Sequence, residues 1–289
     1  EKEVTEYIKS LTSHTVIEND RTILKGKEID CYIPALRLGF EYNGLYWHSE
    51  KVGGFESHYH NWKTKLAATS NIRLITIFED EWINNRQIVE SRIAHLLGNM
   101  SNVCRIHARS TSIVQILNTD KREFLTNNHL QGDDISAIRY GAMFNGELVA
   151  VMTFTKTNMS KGGTGNQYEL NRFAVKNMCH IPGIVSKLFK YFLKQYNPQV
   201  VISYADRRWC TGNVYKQLGF NFNNVTPPSY WYLIDNYTTR KHRSNFMKHM
   251  LIDKLSTFDP KLTEWENMQA SGYDRIWDCG TNKFTYTRI

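Results

Sequence analysis

The sequence predicts an α/β (α+β) chain of two domains with a basic tail, and three observations carry that expectation. Short apolar strands alternate with amphipathic helices along the 289 residues, the pattern of mixed sheets covered by helices. The element order changes near residue 100, from scattered strands and helices to a hairpin-rich run. Charge is also split. Residues 1–100 hold 12 Lys and Arg against 14 Asp and Glu, a balance of −2, so the chain's total of +8 places +10 in residues 101–289. The expected boundaries are a first domain at 1–100, a linker at 101–112, a second domain at 113–235 and a basic extension at 236–289.

Bulk properties narrow the class. A hydrophobic content of 41% with 13% aromatics argues for packed domains and against disorder. No apolar run is long enough to span a bilayer and no cleavable leader is evident, so a soluble, cytoplasmic protein without membrane partners is expected. The chain opens on Glu1 rather than Met, which points to a missing N-terminal piece. Cys31, Cys104, Cys179, Cys210 and Cys279 are dispersed without a Cys-x-x-Cys, a set that fits reduced thiols.

In the first domain, residues 1–12 read as a helix with Val4, Ile8 and Leu11 on one face. Thr22–Leu24 and Glu28–Ile33 read as strands joined through Gly26. Leu36–Tyr42 is a third strand, stopped by the turn dipeptide Asn43-Gly44. Ser57–Ser70 is a helix, Ile72–Phe78 an apolar strand and Ile83–Leu97 a closing helix. The acids Glu79, Asp80 and Glu81 suit a helix start, where they complement the macrodipole.

Chemistry concentrates between residues 28 and 63. Asp30 interrupts an apolar strand and Glu41 ends the next. Two adjacent carboxylates repel unless a proton or cation neutralises them, and hard oxygen ligands suit Mg²⁺, which activates water. His48, just beyond Glu41, is a candidate proton acceptor. His60 and Lys63 share a helix face, and Lys63 is placed to stabilise a developing negative charge. Each residue alone also has a plain reading: a strand-end Asp as a turn former, His48 beside Trp47 as a packed aromatic edge.

The motifs Glu28-x-Asp30-x-Tyr32-x-Pro34, Glu41-Tyr42-Asn43-Gly44-x-x-Trp47-His48, His60-x-x-Lys63 and Ile77-Phe78-Glu79-Asp80-Glu81-Trp82 resemble phage-borne homing endonucleases. The nuclease domain of these proteins is similar to the very short patch repair endonuclease within the PD-(D/E)xK superfamily. The resemblance covers residues 1–97. It implies a PD-(D/E)xK-like mixed sheet and Mg²⁺-dependent hydrolysis of a DNA phosphodiester, with Mn²⁺ as a possible substitute. Asp30 becomes the central metal ligand, Glu41 a second ligand or the holder of a metal-bound water, His48 the acid/base residue, and Glu1, ahead of Glu3, the first-helix acid that orients the site. The superfamily's lysine is replaced by Asn43, and Lys63 or a histidine takes its role. The repair enzyme's zinc ligands are absent after His48, so no structural zinc is expected.

From residue 113 the pattern reads as a helix at Ile113–His129, then strands at Arg139–Asn145 and Glu147–Thr155 around Asn145-Gly146. A glycine-rich loop at Lys161–Gln167 and a strand at Tyr168–Val175 follow. Next come a helix at Gly183–Tyr196, a strand at Val200–Tyr204, a short helix at Asn213–Leu218 stopped by Gly219, and a last strand at Tyr230–Ile234. Tyr168-Glu169-Leu170-x-Arg172-Phe173, Gly183 to Phe192 and Asn213-x-Tyr215-x-x-Leu218-Gly219-Phe220 resemble the Gcn5-related acetyltransferase fold. The loop Met178-Cys179-His180-Ile181-Pro182-Gly183 keeps one of that family's usual phosphate-binding glycines, so no coenzyme A is expected.

Basic side chains supply candidate DNA contacts. Asp206-Arg207-Arg208-Trp209 sets two arginines beside an aromatic. The segment 239–254 carries five Lys and Arg against one acid; as a helix it offers Arg240, Lys241, Arg243 and Lys248. Arg105 and Arg109 in the linker are further candidates. The resulting expectation is a Mg²⁺-dependent, site-specific homing endonuclease acting on double-stranded DNA in an infected host cell. The alternatives are mismatch or damage repair, or N-acetyl transfer by the second domain.

Overall fold

A computed structural model describes every residue except Met100, Asn102, 158–164 and Ile289. The start of the expected glycine-rich loop, residues 161–164, therefore lies outside the described residues. The chain forms two compact units. Unit 1 comprises Glu1–Asn84, Asp206–Trp209 and Thr226–Thr281; unit 2 comprises Asn85–Ala205, Cys210–Val225 and Asn282–Ile289. The segment expected as a free basic extension thus folds mostly into unit 1, and its last residues complete unit 2.

Unit 1 begins with α1 (Lys2–Leu11), which buries Val4, Thr5 and Ile8. Next are β1 (Ile17–Leu24), β2 (Lys27–Ile33), β3 (Leu38–Asn43), α2 (Tyr59–Thr69), β4 (Arg73–Phe78) and α3 (Glu79–Asn84). The sheet order is β1-β2-β3-β4. β1, β2 and β3 pair antiparallel, while β3 and β4 run parallel with Glu41 opposite Thr76. α2 supplies the crossover a parallel pair requires. β3 and β4 are buried along nearly their whole length, hence their continuous apolar reading.

Unit 2 opens with α4 (Arg86–Leu96), so the expected helix at 83–97 is two helices. It continues through β5 (Cys104–Arg105), β6 (Ser112–Gln115), α5 (Asn118–Asn128), β7 (Ile138–Phe144), β8 (Glu147–Lys156) and β9 (Gln167–Val175). Then come β10 (Cys179–His180), α6 (Ile184–Tyr196), β11 (Val200–Asp206), α7 (Asn213–Gln217) and β12 (Asn221–Val225). The start of the expected helix at 113 is strand β6, because Ile113 and Val114 pair with Ala142 and Gly141. β-branched residues favour such a pleated surface over a helix. The β7–β8 turn is Asn145-Gly146 with φ of 49° and 81°, the left-handed pair a tight hairpin demands. α6 buries Ile184, Leu188, Phe189 and Phe192 on one stripe.

Thr226–Thr281 brings β13 (Tyr230–Ile234), β14 (Thr239–His242), α8 (Glu264–Ala270) and β15 (Asp274–Trp277), and β16 (Thr281–Thr287) ends the chain in unit 2. Tyr230–Ile234 is therefore not the last strand. The expected basic helix is instead strand β14 followed by two 3-10 turns at Arg243–Phe246 and Lys248–Asp253. Backbone pairing of Arg240 with Leu233 and of Lys241 with Tyr232 holds the segment extended. β14-β13-β15 form a three-stranded sheet. Leu233 and Ile276 of that sheet pack on Leu45 and Phe78, so one end of unit 1's core is built from both ends of the chain.

The sheet of unit 2 runs β12-β16-β11-β9-β8-β7-β6. Its core is aromatic, with Phe154 and Phe192 stacked at 3.6 Å. Among the described residues, no helix is long and apolar enough to cross a membrane.

Candidate active site

In unit 1, β2, β3 and α2 bring Asp30, Glu41 and Lys63 together. Lys63 Nζ donates to Glu41 Oε2 at 2.5 Å, and both side chains are buried. The other oxygen of Glu41, Oε1, is buried without a hydrogen-bond partner. Asp30 Oδ2 accepts the Tyr42 amide at 2.7 Å. Burial, opposed by that bond and reinforced by Glu1, pushes the Asp30 carboxyl up to about 6. Burial and the Asp30 charge outweigh Lys63 and push Glu41 up to about 8. Lys63 is desolvated, yet Glu41 holds its ammonium above the usual range. Two carboxyls titrating across neutrality beside a fixed ammonium form a proton-transfer arrangement.

Two imidazoles adjoin this group. His48, Phe55 and His60 form a cluster of near-parallel rings, with His48 4.8 Å from Phe55 and 5.5 Å from His60. Burial, then Lys63, lowers His48 to about 4, so it is a neutral base whose Nδ1 is buried without a partner. His60 is 4% exposed, touches Asn43 Nδ2 through Nδ1 at 3.2 Å, and is held neutral by burial. Asn43 thus serves an imidazole. Tyr59, whose ring centroid lies 6.0 Å from Lys63 Nζ, belongs to the same group. Sequence reasoning missed it, although Tyr59 and Lys63 stand one turn apart on α2.

The loop that carries His48 is anchored by the distal part of unit 1. Arg275 clasps both oxygens of Glu50 at 2.7 and 2.8 Å, and the Glu50 amide donates to Arg275 O at 2.8 Å. Asp274 accepts the amide of Lys51 at 3.0 Å. Arg275 itself lies 4.0 Å from the Trp265 ring and 4.8 Å from that of Tyr230.

The basic candidates divide. Arg208 and Arg240 are not surface contacts: their side chains are 4% and 6% exposed. Arg208 binds Glu81 at 2.7 Å and Asp206 at 2.7 Å; Arg240 binds Asp80 and Glu81 at 2.8 Å and rests 3.9 Å from the Phe78 ring. Asp80 and Glu81 do start α3, and they are also buried counterions. Arg207 is turned to Asn61 and to Cys279 O. Lys241, Arg243, Lys248, Arg105 and Arg109 are exposed. Of these, Lys248 donates to Pro260 O at 2.7 Å and Arg243 lies 4.6 Å from the Tyr230 ring.

Unit 2 contains a second chemical feature. β9 and β11 pair in parallel from Val200↔Gln167 to Ser203↔Leu170. Among the described residues the ladder ends there, while both strands continue. At that point β9 carries a bulge, since Phe154 faces Leu170 but Thr153 faces Arg172, which leaves Asn171 extra. Ser203 Oγ donates to Leu170 O at 2.8 Å and lies 3.0 Å from the Tyr215 hydroxyl. Burial pushes the Tyr215 phenol up to about 12.

The amides of the loop after β9 are already bonded within the protein. The amides of Asn177, Met178 and Cys179 donate to Asn128 Oδ1 (2.7 Å), Ser91 Oγ (3.1 Å) and Lys176 O (3.1 Å). β10 pairs with β5, and Lys187 Nζ reaches Ala108 O at 2.8 Å. These amides are not free to cradle a diphosphate.

The expectation of a Mg²⁺ centre is not met. Among the described residues, no group of three or more His, Cys, Asp and Glu is placed to hold a metal ion. Asp30 and Glu41 each spend one oxygen inside the protein, and the cation bonded to Glu41 is the Lys63 ammonium.

No protein-family model matches the chain, and no curated protein matches it. The solved structures that match part of the chain are acetyltransferases. A Bacillus subtilis acetyltransferase in complex with CoA is 12% identical, with 62% of this chain and 98% of that chain covered and a TM-score of 0.36. An IAA acetyltransferase from Bacillus cereus is 13% identical, over 62% and 100%, with a TM-score of 0.36. An Elizabethkingia anophelis GNAT family acetyltransferase with acetyl-CoA bound is 12% identical, over 62% and 99%, with a TM-score of 0.33. The expected assignments as a phage homing endonuclease, with double-stranded DNA as partner and Mg²⁺ or Mn²⁺ as cofactor, are therefore corrected. So is the expectation that no coenzyme A is involved. The chain is a mixed α/β protein whose structural neighbours are acetyltransferases.

Proposed function

We propose that unit 2 is an acyl-group transferase that takes its acyl group as a pantetheine-type thioester and passes it to an amine. The observation that carries the reading is the end of the β9–β11 ladder at Leu170 and Ser203, with Tyr215 beneath it. Beyond that point the facing strand edges are available to an extended, amide-bearing arm, which can add hydrogen bonds as a strand does. The thioester supplies the electrophile. Tyr215 keeps its proton at neutral pH and holds it at its hydroxyl, next to Ser203, where a departing thiolate needs one. The edges fit the pantetheine arm; the internally bonded amides of 177–179 do not fit the diphosphate. Binding therefore rests on the arm.

Calorimetric titration with acetyl-pantetheine and acetyl-CoA tests this. Their dissociation constants are expected within about tenfold of each other, and Tyr215→Phe is expected to lower turnover by about 10²-fold with binding unchanged. Failure of both thioesters to bind removes the reading.

Unit 1 supports a second reading, favoured by the unpartnered Glu41 Oε1 beside Lys63. We propose it as a separate proton-transfer centre on a PD-(D/E)xK-like sheet, with Asp30, Glu41, Lys63 and His48 as the working groups and Glu1 raising the affinity of Asp30 for its proton. Carboxyl carbon NMR of the full chain is expected to show Asp30 and Glu41 titrating well above ordinary Asp and Glu. Ordinary values for both would remove the centre.

A further inference from the structure

Cys104 and Cys179 stand in direct register in the two-stranded parallel pair β5–β10 of unit 2. Directly paired residues on neighbouring strands point to the same face, and their strands lie about 5 Å apart. That separation falls inside the Cα range a disulfide spans. The pair is bracketed by backbone bonds: Cys104 N donates to Met178 O at 2.9 Å and Ile106 N to His180 O at 3.1 Å. Cys104 is exposed and Cys179 half-buried. The charged neighbours of the pair are Lys176 and its partner Glu147. Neither thiol serves the acyl-transfer or proton-transfer reading.

We propose that Cys104 and Cys179 form a reversible oxidation site that closes into a disulfide on exchange with a small-molecule disulfide such as oxidised glutathione. Cys104 meets the oxidant first because it is the exposed partner. Its thiolate attacks one glutathione sulfur, the glutathione S–S bond breaks, and one glutathione thiolate leaves. The Cys179 thiolate then attacks the Cys104 sulfur and expels the second. The two protons released by the cysteines end on the two glutathione thiols. The protein loses two electrons and glutathione disulfide gains them. The product fastens the strand ahead of β6 to the loop ahead of α6 with a covalent bond where the reduced chain has only β5–β10 pairing.

The full chain is incubated with oxidised glutathione under native conditions, alkylated and mapped by mass spectrometry. The expected product is a Cys104–Cys179 linked peptide, with the chain lighter by about 2 Da than its reduced form and no glutathione retained. Tryptic cleavage after Arg105 is expected to slow by about tenfold on oxidation, because cleavage needs local opening. Cys179→Ser is expected to stop at a stable glutathione adduct on Cys104, whereas Cys210→Ser, at the other exposed thiol, still closes the bond. A persistent Cys104–glutathione adduct in the unsubstituted chain would falsify the proposal. So would a linked peptide that contains Cys210 in place of either partner.

Discussion

Unit 1 and unit 2 solve the problem of buried charge differently. Unit 1 places a five-membered ion network, Asp80, Glu81, Asp206, Arg208 and Arg240, beneath the end of β4, and its members come from three distant stretches of chain. Unit 2 buries Lys121 against Asp133 and Asp134, two acids a short loop away. Its clusters around Phe154 and Leu125 are apolar and aromatic. Desolvated ions stabilise only when every partner is present. Unit 1 therefore depends on residues 206–240 to make 1–84 fold, whereas unit 2 is assembled from one nearly continuous run plus its final strands. A unit built through paired ions should fail abruptly when one partner is lost. A unit built through packing should fail in proportion to the volume removed.

The largest expected effect breaks the unit 1 network. Arg240→Ala leaves Asp80 and Glu81 short of a counterion and should cost about 3–5 kcal/mol, confined to unit 1. Hydrogen exchange followed by peptide mapping reads the two units separately. Loss of protection in unit 2 as well would mean the units do not unfold independently. The matching test in unit 2 is Leu125→Ala, a fully buried contact of Ile116, Phe124 and Val151, expected at about 2–5 kcal/mol by the same readout.

pH sharpens the contrast. Asp30 has a raised folded pKa, about 6 against 3.8. The folded state thus holds more protons than the unfolded state between those values, and unit 1 loses stability as pH rises through them. Asp30→Asn should stabilise unit 1 by about 2–3 kcal/mol at pH 8 and by nothing near pH 3. In unit 2, burial lowers His129 to about 3 against 6.5, so unit 2 loses stability as pH falls through that window. Denaturant midpoints at pH 4, 6 and 8 check both signs, and parallel profiles for the two units would defeat the comparison.

Smaller effects bound it. Thr263→Ala removes a complete capping box at α8 and should cost unit 1 about 1 kcal/mol in chemical denaturation. Lys9→Ala, in an exposed pair with Glu18, should shift unit 1 by less than about 0.5 kcal/mol. A larger shift would mean that surface charges also hold the unit together.

Much of this was legible in local pattern. The hairpin at Asn145-Gly146 followed from turn chemistry, and α6 from its apolar stripe. The contact of Lys63 with Glu41 joins a strand-end acid to a helix lysine, both singled out by residue type and position. The failures are physical rather than accidental. Arg240-Lys241-His242-Arg243 reads as a solvated basic face because charge in a sequence looks the same whether it meets water or a buried carboxylate. Ile113 and Val114 fit a helical stripe as well as a short strand, and only pairing with β7 decides between them.

By itself the sequence determined the local elements, their apolar faces and the residue types available for proton transfer, because those depend on periods of two and 3.6 residues. Only the tertiary structure decided that residues 226–281 complete unit 1, that Arg208 and Arg240 turn inward, and that the amides of the loop after β9 are taken up by α4 and α5. Each of these rests on pairings between distant residues, whose geometry and desolvation no local window contains.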